Sequence, residues 1–236
     1  MKKLVTAFAA CALAGLVNAQ VESVNIVGYQ TVSAPAGFSL YTPTFVTVGC
    51  QTPEIDLASI TGNFGDFDTI QFIDADGNVT AIYQWLTTAG FGVAEDGWYD
   101  GEFQPVVLPN LTQGMSYLLS TASPVGVLNA GEVNTAPVQI TVGAGFSSVG
   151  NSSPTDRLLS EFTFAGGISD FDTIQFLDTD GNVETIYQWL TAAGFGVAED
   201  GWYDGAFAPV DTTVHAGQGF LLSTAGGCTI TVPSPI

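Results

Sequence analysis

Two six-residue segments, Glu95-Asp-Gly-Trp-Tyr-Asp100 and Glu199-Asp-Gly-Trp-Tyr-Asp204, set aromatic rings beside carboxylates. This is the chemistry of a sugar-binding cleft. A ring packs on the apolar face of a pyranose, and the carboxylates accept hydrogen bonds from its hydroxyls. Trp98, Tyr99 and Asp100, with Trp202, Tyr203 and Asp204, are the candidate glycan ligands, and Trp85, Trp189, Tyr83 and Tyr187 are placed to widen the platform. The competing reading makes Trp98 and Trp202 core anchors and Glu-Asp-Gly a hairpin turn.

A second cluster spaces oxygen ligands at alternate positions: Asp74, Asp76 and Asn78, repeated as Asp178, Asp180 and Asn182. It resembles half of a calcium loop, with Asp66, Asp68, Asp170 and Asp172 near enough in sequence to add oxygens. The full EF-hand pattern fails, because Phe72 stands at the first ligand and Tyr83 at the terminal Glu. Asp-Gly-Asn is also ordinary turn chemistry. Calcium is the one cofactor these motifs suggest.

Enzyme signals are sparse. His215 is the only histidine and aligns with Thr112, there is no Gly-x-Ser-x-Gly elbow, and no His/Cys cluster suits zinc. Glu95 with Asp100 retains the two carboxylates of a glycoside hydrolase. A doubled loop without further catalytic groups nevertheless predicts a protein that binds or builds and is not an enzyme.

The elements carrying these residues are duplicated. Asp66–Pro105 returns as Asp170–Pro209 with 33 of 40 positions identical and no gap. Weaker matches extend the repeat: Ala36-Gly-Phe-Ser39 with Ala144-Gly-Phe-Ser147, and Tyr117-Leu-Leu-Ser-Thr-Ala122 with Phe220-Leu-Leu-Ser-Thr-Ala225. Turn residues recur every 8–12 positions among segments rich in Val, Ile, Thr and aromatics. The expected fold is all-β: two tandem β-sandwich-like repeats of about 105 residues with a pseudo-twofold internal duplication. The expected divisions are a signal segment at 1–19, repeat one at 20–126 and repeat two at 127–236, with the boundary in the turn-rich run Ser123–Ala130. Thr69–Ile73 and Val79–Leu86 are expected to form a hairpin around Asp74–Asn78, and Glu184–Ala193 to be strand in preference to a short helix.

Residues 1–19 read as a secretory signal: Lys2 and Lys3, an apolar run Leu4–Val17, and Val17-Asn-Ala19 before the cleavage point. The expected location is outside the cell or on the cell surface of a diderm bacterium, with no membrane insertion. Beyond residue 19, Arg157 is the only Lys or Arg against 23 Asp and Glu, giving a formal charge of 1 − 23 = −22. Such a chain repels nucleic acid and anionic membrane surfaces. Cys50 and Cys228 are the two remaining cysteines, and a secreted chain favours their pairing as a disulfide within the chain, the alternative being a bond to another subunit.

The order Pro35-Ala-Gly-Phe-Ser39, Asp68-Thr-Ile-Gln-Phe72, Gly97-Trp-Tyr-Asp-Gly101 and Gly217-Gln-Gly-Phe220 resembles a secreted bacterial β-repeat of environmental diderms, present in two tandem copies. The resemblance implies secretion and a β fold, and carries over no site residues. Gln113-Gly-Met-Ser116 and Gly143-Ala-Gly-Phe146 depart from its pattern. The function expected from these features is a secreted acidic structural or cell-surface protein. Head-to-tail self-association would build a filament, sheath or matrix, with Val24–Tyr29 as a strand added to a neighbour's sheet. The alternative is a bivalent protein binding an extracellular polysaccharide.

Overall fold

A computed structural model describes residues 27–47, 54–57 and 61–234. The signal-like segment and Cys50 lie outside them, as do Val24–Ile26 of the expected pairing strand. The described chain is all-β. Its first ten strands are β1 (Val27–Ala34), β2 (Gly37–Tyr41), β3 (Glu54–Asp56), β4 (Thr61–Gly62), β5 (Thr69–Ile73), β6 (Val79–Leu86), β7 (Gly97–Tyr99), β8 (Asn110–Thr112), β9 (Tyr117–Thr121) and β10 (Val125–Glu132). Ten more follow: β11 (Val138–Val142), β12 (Gly145–Gly150), β13 (Arg157–Leu158), β14 (Thr163–Ala165), β15 (Thr173–Leu177), β16 (Val183–Leu190), β17 (Gly201–Tyr203), β18 (Thr213–Val214), β19 (Gly219–Thr224) and β20 (Cys228–Val232). A 3-10 turn at Leu159–Glu161 follows β13. No helix among the described residues is long and apolar enough to cross a membrane.

The two sets of ten have the same topology. Each has a five-stranded antiparallel sheet (β2-β9-β5-β6-β7 and β12-β19-β15-β16-β17). Each also has a three-stranded sheet (β1-β10-β4 and β11-β20-β14) and a two-stranded ladder (β3-β8 and β13-β18). Even the bulge between Phe72 and Ile73 on β5 recurs between Phe176 and Leu177 on β15. One buried cluster in the first unit joins Ile70 and Leu119 of the large sheet to Val125 and Val127 of the small one; Ile174, Leu222, Cys228 and Ile230 do the same in the second. Burial of these aliphatic faces is the main driving force for each unit.

β10 shifts the boundary between units. The run in which the sequence placed the boundary, Ser123–Ala130, is mostly strand, because β10 pairs along its whole length with β1. Gly126 sits opposite Ser33, and Asn129, 1% exposed, accepts bonds at Oδ1 from the Thr44 and Phe45 amides at 3.2 and 2.8 Å. The chain therefore leaves the first unit after β10, in the segment 133–137 that precedes β11.

Contacts between the units are reciprocal. The Phe38 amide donates to Thr179 O at 2.8 Å, and the equivalent Phe146 amide donates to Ala75 O at 2.7 Å. Thr42 N bonds Gly217 O at 2.8 Å, and Gly150 N bonds Gly114 O at 3.0 Å. Tyr41 bridges Gln218 as Val149 bridges Met115. Leu40, Leu118 and Leu221 with Phe38, Ile73, Phe146 and Leu177 form a shared apolar cluster at the junction. A contact in which each partner supplies the same surface is isologous and closes on itself. It cannot by itself propagate into a filament, so the duplication does not provide the head-to-tail contact expected from sequence.

Tyr41 and Tyr117 face each other with ring centroids 5.4 Å apart, and both hydroxyls are buried without a partner. The residues at these places in the second unit are Val149 and Phe220, paired across β12 and β19. Tyr117→Phe removes an unsatisfied hydroxyl from a site whose twin already holds phenylalanine. It should raise stability by about 1 kcal/mol in chemical denaturation; a loss of similar size would show that the hydroxyl has a partner.

Candidate functional site

β5 and β6 have two ends with different tasks. At one end the Asp74–Asn78 turn docks on the other unit, Gly77 (φ 83°) lying against the Phe146 ring. At the other end three turns bring three phenylalanines together on the surface. β6 has eight residues, so the two ends are separated by about 26 Å of strand.

The three rings are Phe67, Phe91 and Phe103. Phe67 and Phe91 meet edge to face at 5.5 Å, and Phe91 and Phe103 stack at 5.1 Å. They are 55%, 42% and 47% exposed. The second unit repeats the arrangement with Phe171, Phe195 and Phe207, at 5.6 and 5.1 Å. Phe67, Phe103, Phe171 and Phe207 all have positive φ, at 69°, 60°, 71° and 63°. Bulky side chains rarely adopt that left-handed region, and persistent strain of this kind concentrates at functional surfaces.

Carboxylates hold the turns that present these rings. Asp66 Oδ1 accepts the Thr87 amide at 2.6 Å, and Asp96 Oδ1 accepts the Thr88 amide at 2.6 Å, fixing the loop that carries Phe91. Asp100 Oδ1 accepts the Glu102 and Gln104 amides, both at 2.9 Å, shaping the turn that carries Phe103. Asp170, Asp200 and Asp204 do the same in the second unit. Bonds from Thr88's amide and hydroxyl hold the Asp96 carboxyl below the usual carboxylate range. Each platform is thus an apolar surface edged with negative charge.

The residues singled out by sequence fall elsewhere. Trp98 and Trp202 are 8% and 5% exposed and pack edge-on against Trp85 and Trp189. Tyr99 and Tyr203 are buried and donate their hydroxyls to Glu95 O and Glu199 O at 2.8 and 2.7 Å. Trp98 and Trp202 belong to the two buried clusters, as the competing core-anchor reading expected, and none of the four rings stands out as an exposed platform. Asp100 and Asp204 are turn caps. One cavity does lie beside this loop: about 440 Å³ in the second unit, lined by Trp189, Glu199, Asp200, Trp202 and Tyr203, among others.

Asp74 Oδ1 accepts the Asp76 and Asn78 amides at 3.0 and 2.8 Å, and Asp178 Oδ1 the Asp180 and Asn182 amides at 2.9 and 2.8 Å. Of the candidate calcium ligands, Asp74 and Asp178 each build the turn with one carboxylate oxygen, while Asp76, Asn78, Asp180 and Asn182 enter it through their backbone amides. Asp68 and Asp172 are buried and bonded to backbone amides of the loop before β5 or β15 and of the turn after β9 or β19. Among the described residues, no group of three or more His, Cys, Asp or Glu is arranged to hold a metal ion. His215 Nδ1 lies 3.1 Å from Asp156 Oδ2 on the exposed surface. His215 and Glu184, which stand where the first unit has Thr112 and Thr80, line a cleft of about 460 Å³ at the junction.

Cys228 is a buried free thiol on β20, at the position Val125 holds on β10. The disulfide expected from sequence has its other end, Cys50, outside the described residues. Burial, with the nearby Asp172 charge, pushes the Cys228 thiol up to about 11. A thiol that ionises less readily when folded contributes stability below its ordinary value near 8.5, and loses it as pH rises toward 11. Cys228→Val, copying the twin, should flatten the fall in stability between about pH 9 and 11 while leaving neutral-pH stability unchanged. Denaturation curves across that range check this; an unchanged slope would assign the fall to other groups.

No known protein family, curated protein or solved structure matches this chain. Sequence reading passed over the six phenylalanines: Asp66-Phe-Asp68 and Asp170-Phe-Asp172 entered it only as possible sources of oxygen ligands. The available signal was a large apolar ring inside turn chemistry, twice, where no strand alternation calls for it.

Proposed function

We propose that the protein is a secreted, acidic, non-enzymatic surface or matrix component. It acts as a bivalent connector, each sandwich-like unit presenting one phenylalanine platform to a partner. The observation that carries this reading is the duplicated trio of exposed rings, two of each trio on strained backbone. Each trio stands at the end of its hairpin away from the self-closing junction. Three half-exposed rings offer on the order of 300 Å² of apolar surface, far below the area of a stable protein interface. Each contact is therefore weak, and two linked on one rigid body gain avidity. In this reading self-association into a filament runs through surfaces other than the closed junction, and the edge strand β1, with Val27 and Tyr29 exposed and no charged residue, is the suitable one.

The test is retention of the protein on extracellular material of the producing cells. Serine at all six phenylalanines should release it to the medium, and serine in one platform should leave weak, salt-sensitive retention. Full retention of the six-serine variant would refute the connector. A second reading, glycan binding, is favoured by the cavity beside Trp202. Trp189, Trp202 and Tyr203 line it beside Glu199 and Asp200, which sets aromatic edges next to carboxylate acceptors. It predicts that Glu199→Gln and Asp200→Asn weaken binding to a polysaccharide on a glycan array while the six-serine variant binds normally.

A further inference from the structure

We propose that each phenylalanine platform docks an arginine-rich, cationic segment of a partner protein. The inference rests on the connector reading and names its partner. Aromatic faces attract guanidinium groups, which also stack flat on them, and carboxylates beside the rings supply paired acceptors. Phe67, Phe91 and Phe103 provide the faces, and Asp66, Asp96, Asp100 and Glu102 lie within the same three turns. The chain cannot supply such a segment to a second copy of itself. Beyond the signal-like region its only cation is Arg157, 17% exposed, with Nη1 3.4 Å from Glu161 and Nη2 donating to Ser234 O at 2.6 Å. Two platforms edged with the same negative charge repel each other. A partner with alternating guanidinium groups and small residues matches both the charge and the modest apolar area. The platforms differ beside the third ring, where Ala206 and Ala208 replace Glu102 and Gln104, so the first, with one carboxylate more, should bind more tightly.

The test is calorimetric titration of the intact protein with a synthetic peptide of alternating arginine and glycine, and with its lysine counterpart. The account expects two sites per chain, arginine several-fold tighter than lysine, and partial survival at about 0.5 M salt, where purely ionic contacts are screened. Phe67→Ser/Phe91→Ser/Phe103→Ser should remove one site and the matching change at Phe171, Phe195 and Phe207 the other. All six rings are surface-exposed, so folding of the variants is expected, and circular dichroism confirms it. Peptide binding that persists in the six-serine variant, following net charge alone, would overturn the proposal, as would absence of binding. If that variant also leaves the extracellular material, the connector stands and only the partner's chemistry is wrong. If it stays, the connector itself fails.

Discussion

Gly37→Ala and Gly145→Ala are each expected to cost about 4 kcal/mol, a large part of a typical folding stability. Both glycines have φ 97°, a region that penalises any Cβ. A Cβ on Gly37 would lie 2.1 Å from Thr179 O, and one on Gly145 would lie 2.3 Å from Ala75 O. Those carbonyls accept the Phe38 and Phe146 amides that bind the units together. The backbone has to move at the junction, so strain and a lost hydrogen bond add. Urea denaturation should show a lowered midpoint for either variant and two separated transitions for the pair. A cost below about 1 kcal/mol would mean that the junction adjusts freely and that the reciprocal contacts are not what holds the units together.

Asp68→Ala, or Asp172→Ala, should cost about 3 kcal/mol. The Asp68 carboxylate is 2% exposed and accepts the Gly65 amide at Oδ2 and the Ala122 amide at Oδ1, both at 2.8 Å. It ties the entry to β5 to the exit from β9. Asp172 repeats this with Ser169 and Ala225. Alanine removes the acceptor from two part-buried hydrogen bonds at once and leaves a gap where the carboxylate was. Asparagine restores only one, because its amide group presents a donor to the other, so Asn should recover part of the loss. Thermal and chemical denaturation of the three forms should rank wild type above Asn above Ala. Equal stability of Asn and wild type would show that one of the two bonds carries no weight.

What the sequence revealed depended on range. The turn Asp74–Asn78, the hairpin around it and the strand at Val183–Leu190 were legible because alternation and Asp-Gly chemistry are local signals. The duplication was plain at a fixed offset. The closed junction was not, because the Phe38–Thr179 and Phe146–Ala75 bonds join residues far apart in sequence whose types give no hint of pairing. The boundary was misplaced for a similar reason: Gly126 and Asn129 look like turn residues, yet Asn129 uses its buried side chain to stitch the Thr44–Phe45 backbone. At the candidate site, tryptophan outweighed phenylalanine as a cue. Burial decides between them, and burial of Trp98 and Trp202 comes from the packing of Phe64 and Phe164 against them.

The central claim is that the phenylalanine platforms are kept for contact and not for folding. Thermal unfolding of a variant with glycine at Phe67, Phe103, Phe171 and Phe207 tests it most directly. Glycine relieves about 1 kcal/mol of left-handed strain at each position, against ring contacts of similar size. The account predicts a midpoint equal to or above that of the wild type. A fall of more than about 10 °C, several kcal/mol for a chain of this length, would show that the rings hold the fold together and would contradict it.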